Sequence, residues 1–200
     1  MPGRYEPENA RSEPAEARAE LPSVPRRGST LAVALAVLWL AGSSAAQQPV
    51  ERPMARVEVP AGEEQALLEL AASGEASAEL RADPSFRVIE TVARWAKGWE
   101  QQDPDRYLAS YAEGFRPSSG ASRSAWEATR RQRILAPSSI RLTLLDLQVV
   151  VEGETATASF RQIYESDRFG DVVRKTLQLR QTDAGWRIQR EDAVAVRSSP

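Results

Sequence analysis

The 200-residue chain contains no cysteine and no histidine. Without cysteine there is no disulfide, no thiolate metal site and no sulfur nucleophile. Without histidine there is no serine–histidine triad, no imidazole base and no histidine-ligated zinc. No cofactor and no metal is expected, and any catalysis has to run on carboxylates, tyrosine, lysine, arginine or water. A strong excess of one charge is missing as well. Residues 1–84 carry 8 basic and 13 acidic groups, and residues 85–200 carry 18 and 15. Neither part is basic enough to suggest a nucleic-acid partner. Long apolar runs are also lacking: Leu31–Ala41 falls well short of the ~20 residues that a bilayer span requires.

What is present near the start is "PRRGSTLAVALAVLWLAGSSAAQQ". Arg26 and Arg27 give a positive flank, Leu31–Ala41 a short apolar stretch, and Ser44-Ala45-Ala46 small residues for a peptidase. Residues 1–46 therefore read as a disordered lead-in plus a secretory signal cleaved after Ala46. The expected location is the periplasm, with no membrane span left after cleavage. No cysteine follows the apolar run, which excludes a lipoprotein. Residues 47–84 hold Pro49, Pro53 and Pro60, with 3 basic against 8 acidic groups. They read as a solvated acidic linker. Leu67, Leu70 and Ala71 could form one face of a short helix within it.

From Ser85 the pattern sharpens into a domain over residues 85–197. Val88, Ile89, Val92, Trp95, Ala96 and Trp99 recur at helical spacing and predict a helix ending near Gln102. "DPDRYLASYAEGF" predicts a second helix, with Asp103 as cap, Pro104 in the first turn and Gly114 at the end. Ser124-Ala125-Trp126-Glu127 has the form of a capping box opening a third, which Pro137 closes. Beyond Pro137 the period becomes two. Ile140–Val151, Thr155–Ser166, Asp171–Thr182 and Trp186–Val196 are joined by short Gly-containing connections, which predicts antiparallel hairpins. Strands this long twist and curl. The expected fold is α+β: three N-terminal helices on a strongly curved, four-stranded antiparallel meander, a cone-shaped half-barrel.

This order of elements resembles the nuclear transport factor 2-like superfamily, which includes ketosteroid isomerases and polyketide cyclases. "WAKGWEQQDPDRYLASYAEGF", "SRSAWEATRRQRI", "SFRQIYESD", "RKTLQLR" and "GWRIQRE" are similar to one branch of it. That branch is the C-terminal accessory domain of bacterial cell-shape L,D-carboxypeptidases and L,D-transpeptidase-like envelope proteins. The catalytic domain of those enzymes, with its cysteine and histidine, has no counterpart here. The resemblance implies a pocketed accessory module of the envelope, with a peptidoglycan-derived ligand or a cell-wall enzyme as partner.

Side-chain alternation nominates the pocket wall. Trp126, Arg130 and Arg133 share a face of the third helix. Phe160, Gln162 and Tyr164 share the inner face of the second strand run, and Lys175 reaches the rim from the third. Trp186 and Ile188 set an inner parity that Arg190 continues, with Glu191 the nearby acid. Trp99 and Tyr111 complete the wall. An inward arginine must be paired or hydrogen-bonded. Arg130 or Arg133 could pin the helix to Glu191 or Asp146 as an internal ion pair, or the two could form a fork for a ligand carboxylate. An isomerase-like enzyme would instead need a pocket carboxylate, for which Asp146, in parity with Leu142 and Leu144, could pair with Tyr111. A third possibility is an interaction domain with an idle pocket. The opposite parity, Leu145, Leu147, Val149 and Val151, would then form an apolar outer sheet face suited to a homodimer.

Overall fold

The computed structural model describes residues 54–196. The signal-sequence reading lies outside the described residues. Five strands form one antiparallel sheet in the order β1-β2-β3-β4-β5, curved and open. They are β1 (Met54–Glu58), β2 (Ile140–Glu152), β3 (Thr155–Ser166), β4 (Gly170–Thr182) and β5 (Gly185–Ala195). Between β1 and β2 run the helices α1 (Glu64–Ser73), α2 (Ala78–Ala82), α3 (Pro84–Glu100), α4 (Pro104–Leu108) and α5 (Arg123–Leu135). The expected meander is thus present, with one strand and two helices more than expected.

The extra elements come from the segment read as a linker. Residues 54–84 are not a solvated tether: β1 pairs along β2 from Met54↔Glu152 to Glu58↔Gln148, and Val57, Leu67 and Leu68 are buried. Glu64, also buried, holds the join. Its Oε2 accepts the Gly62 backbone N–H at 2.7 Å, and its Oε1 accepts that of Asp146 at 3.0 Å. Asp146 is the extra residue of a β-bulge in β2, with φ of 56°. A bulge leaves a ladder amide without its strand partner; here a carboxylate from α1 takes it. Replacing Glu64 with alanine orphans two amides and should cost about 2–3 kcal/mol by charged hydrogen-bond loss. Urea unfolding checks this, with Glu64→Gln expected to lose less.

The bulge also reverses the pleat. Before it Leu142 and Leu144 face the core; after it Leu147, Val149 and Val151 do, all buried. The expected apolar outer face is therefore absent, and with it the argument for a homodimer through that face. Asp146 points away from the core, exposed, and pairs with Arg161 at 3.4 Å.

A second bulge shifts the register of β5 against β4 between Gln178 and Leu179, placing Gln189 as the extra residue. It turns Arg190 outward and Glu191 inward, reversing the expected parity. The backbone beside it is bound from the other side: Ile188 N–H donates to Ser110 O (2.9 Å), and Ala112 N–H donates to Ile188 O (2.8 Å). That bridging strip explains why the second helix stops at Leu108 rather than near Gly114, since residues 110–112 spend their backbone groups on β5.

Asp103 caps α4 as expected, accepting from Arg106 N–H. Helix α5 starts earlier than the Ser124 box suggests. Ser122 is the cap, and Glu127 receives Arg123 at 2.7 Å instead of closing on the backbone. The core is the hollow side of the sheet, filled by Trp95, Tyr107, Phe86, Phe160, Ile89 and Ile188.

Candidate functional site

The concave face of the sheet presents Phe160, Gln162 and Tyr164 from β3. Lys175 stands opposite Phe160 on β4, and Glu191 opposite Leu177 on β5. Helix α3 lays Trp95 and Trp99 over them, one turn apart: Trp95 meets Phe160 at 6.0 Å and Trp99 meets Tyr164 at 6.1 Å between ring centroids. Tyr107 and Tyr111 enter from α4 and the strip after it. Helix α5 closes the arrangement with Trp126, Arg130 and Ile134, spaced by four. Arg133 is not among them. It is exposed, because the inward stripe of α5 runs i, i+4, i+8 and Ile134 takes the place beneath Arg130.

At the centre lies Glu191. Lys175 Nζ donates to its Oε1 at 2.6 Å, and the Tyr111 hydroxyl donates to its Oε2 at 2.5 Å. Tyr111 oxygen in turn accepts Trp95 Nε1–H at 2.8 Å. Its own proton is committed to Glu191, so the 2.6 Å contact with Tyr107 is a bond that Tyr107 donates. Lys175, expected at the rim, is buried at 4% exposure, 4.8 Å from the Trp95 ring centroid. Arg130 Nη2 stands farther from Glu191, 3.8 Å from Oε1. Its guanidinium carbon lies 5.5 Å from the ring centroids of both Trp99 and Trp126. The ion-pair expectation thus holds for Arg130 with Glu191, and neither Arg133 nor Asp146 takes part.

Burial alone pushes the Glu191 carboxyl up. The charges of Lys175 and Arg130, with hydrogen bonds from Lys175 and Tyr111, outweigh it and hold the group at about 2. Burial, then the Glu191 charge, push the Tyr107 and Tyr111 hydroxyls well above the ordinary tyrosine range. Burial opposes the charge on Arg130, but Tyr107 and Glu191 favour it, and the net direction is up. The cluster therefore holds two cations against one anion. Lys175 takes the near oxygen of Glu191, so the surplus charge rests on Arg130, whose side chain keeps 19% exposure.

Three buried polar atoms in this region have no partner: Trp99 Nε1, Arg130 Nε and Gln162 Oε1. Gln162 sits between Phe160 and Tyr164, the residues that Trp95 and Trp99 cover, and Arg130 lies over Trp99. Buried polar groups are ordinarily satisfied. Two donors and an acceptor beside a surplus cation are thus left without a protein partner.

The isomerase-like pairing of Tyr111 with Asp146 does not form, since the bulge carries Asp146 to the outer side. Glu191, ionised and bonded on both oxygens, is not a base poised near neutrality. Sequence reasoning missed Asp171, which stands opposite Tyr164 on the concave parity and whose carboxyl burial pushes up against the opposing pull of Lys175. The cross-strand register from Tyr164 was the signal for it. Trp95 and Tyr107 are core residues, fully buried, and their polar tips also carry the Glu191 network.

Residues 87–192, more than half of the chain, match the model of the Cds6 C-terminal NTF2-like domain. The chain belongs to this family. Solved structures share the NTF2-like fold at low identity. Bd1075 of Bdellovibrio bacteriovorus is 24% identical with a TM-score of 0.52, over 56% of this chain and 40% of that one. A putative dehydratase of the NTF2-like family from Streptomyces avermitilis is 18% identical with a TM-score of 0.51, over 57% and 96%. The helical cell shape determining protein Pgp2 from Campylobacter jejuni is 16% identical with a TM-score of 0.48, over 54% and 40%. The chain thus spans less than half the length of Bd1075 and of Pgp2. No curated protein matched the sequence.

Proposed function

We propose that this NTF2-like domain is an exported, non-catalytic binding module of the bacterial cell envelope. In this reading Arg130 receives a carboxylate-bearing, peptidoglycan-related ligand, or the acidic side chain of a docking cell-wall enzyme. The observation that carries the reading is the imbalance around Glu191: one carboxylate, two cations, and Arg130 left with an open Nε between two tryptophans. A guanidinium is a planar fork suited to a carboxylate. The indole faces hold it in place by cation–π attraction. Trp99 Nε1 and Gln162 Oε1 are then available to a ligand's amide. Support for the envelope comes from the signal-like pattern before Ala46 and from the sequence likeness to envelope accessory domains.

The test is titration of the protein with a peptidoglycan stem tripeptide bearing free carboxylates, followed calorimetrically. Arg130→Met should weaken binding about 10- to 100-fold, the loss of one charged hydrogen-bonding group. Arg133→Met, on the exposed side of α5, should leave it unchanged. Equal affinity of a folded Arg130→Met protein would refute the reading.

A second reading keeps the domain an enzyme. Asp171, half-buried opposite Tyr164 and pushed up by that burial, would act as its acid or base. It requires turnover of a small carbonyl substrate that Asp171→Asn abolishes.

A further inference from the structure

A separate cleft of about 330 Å³ opens on the helical side of the molecule, away from the Glu191 cluster. Ser73 and Gly74 at the end of α1, Arg81 of α2, Glu90 and Arg94 of α3 and Arg106 of α4 surround it. Three guanidiniums thus face one carboxylate. Glu90 and Arg94 stand one turn apart in the order that normally forms an ion pair. Among the described residues, however, no ion pair within 4.0 Å involves Glu90, Arg81, Arg94 or Arg106.

The other arginines have partial occupations. Arg81 donates to Gly74 O, capping α1, and Arg106 Nη1 donates to Gln101 Oε1 at 2.8 Å. Arg94, half-buried, makes no side-chain hydrogen bond among the described residues. A fourth guanidinium lies nearby: burial, then the charge of Arg94, depress Arg187. Positive groups that outnumber the carboxylate beside them repel one another, and that cost is relieved when an anion enters between them.

We propose that this cleft is a second ligand site, for a small dianion: a phosphomonoester or a dicarboxylate. The net charge of its wall, two positive, matches two negative charges on one small group. Arginine forks bind phosphate and carboxylate oxygens in pairs. The volume is that of a small-ligand pocket rather than a polymer groove. Glu90 gives the site an acceptor beside the anion, so a ligand bearing a hydroxyl next to its charged group fits better than one without. The site is independent of Arg130 and does not depend on the proposed function.

The experiment titrates the protein with inorganic phosphate and, separately, with succinate. Chloride at matched ionic strength is the control, and the arginine Nε–H signals are followed by NMR. Saturable displacement of the Arg94 signal by either anion is expected, and which anion acts identifies the ligand source. Arg94→Met should weaken binding at least about tenfold, and Arg94→Lys should retain part of it. Arg130→Met should leave it unaltered, which separates this site from the concave one. No displacement, the same response to chloride, or undiminished binding by Arg94→Met would overturn the proposal.

Discussion

Replacement of Glu191 by alanine should cost about 3–5 kcal/mol of stability, the range for breaking a buried ion pair from one side. The substitution strips Lys175 of its 2.6 Å partner at 4% exposure, takes the acceptor from Tyr111 and removes the anion nearest Arg130. Lys175→Met/Glu191→Leu together should recover the part of the loss that comes from leaving Lys175 charged and unpaired opposite Trp95, while the part that comes from depriving Arg130 of its anion remains. If the double variant is as unstable as the single one, the unpaired charge of Lys175 is not what destabilises Glu191→Ala. The wild type should also show an acid limb. The folded-state value of Glu191, about 2, lies below its ordinary 4.5. A depressed carboxylate contributes fully above the ordinary value, and its contribution fades as pH falls through the folded one. The urea midpoint should therefore drop between about pH 4.5 and pH 2 on this account. Glu191→Gln should flatten that limb while lowering stability throughout.

Gly98→Ala carries the second large effect. In an ordinary helix interior the change stabilises by about 1 kcal/mol. Here the added Cβ would lie 2.6 Å from Tyr107 N and 2.8 Å from Tyr107 Cα, backbone atoms that cannot rotate aside. α3 and α4 approach this closely because position 98 has no side chain. The expected outcome is a loss of about 1–3 kcal/mol, as for overpacking elsewhere, read as a fall in thermal midpoint. Tyr107 and Tyr111 would be displaced with α4, so Tyr111 should loosen from Glu191 and shift the acid limb upward. Gly114→Ala is the control. Nothing lies within 4 Å of its would-be Cβ, so it should be neutral or mildly stabilising.

The sheet was readable because its strands alternate over ten or more residues between glycine-bearing turns; β3 begins and ends where expected, and the others differ by a residue or so. α3 was readable because a helix buried along most of its length repeats its apolar residues plainly. What was hidden was the pleat. Asp146 and Gln189 are single inserted residues with no apolar signature, and each reverses every side chain beyond it. That is why alternation alone places Leu147, Val149 and Val151 outside, and Asp146 and Arg190 inside. Asp at a positive φ is tolerated more readily than most residues, but an aspartate in a strand does not announce a bulge. Arg133 joins the inward stripe in the sequence reading because i, i+3 and i, i+4 are both helical spacings, and only Ile134 in the buried position distinguishes them. Residues 54–84 read as a linker because their acidic composition outweighs a brief alternation around Val57 and a modest stripe at Leu67, Leu68 and Ala71.

The grip of Glu64 on the Asp146 amide bears on where the autonomous folding unit begins. The family match starts at residue 87, downstream of β1, α1 and α2. A fragment trimmed to that boundary would strip Val57, Leu67 and Leu68 from the wall they cover and leave the kinked edge strand open to foreign chains. Cut there, the polypeptide should aggregate. Begun at Met54, it keeps its own edge guard and should remain soluble.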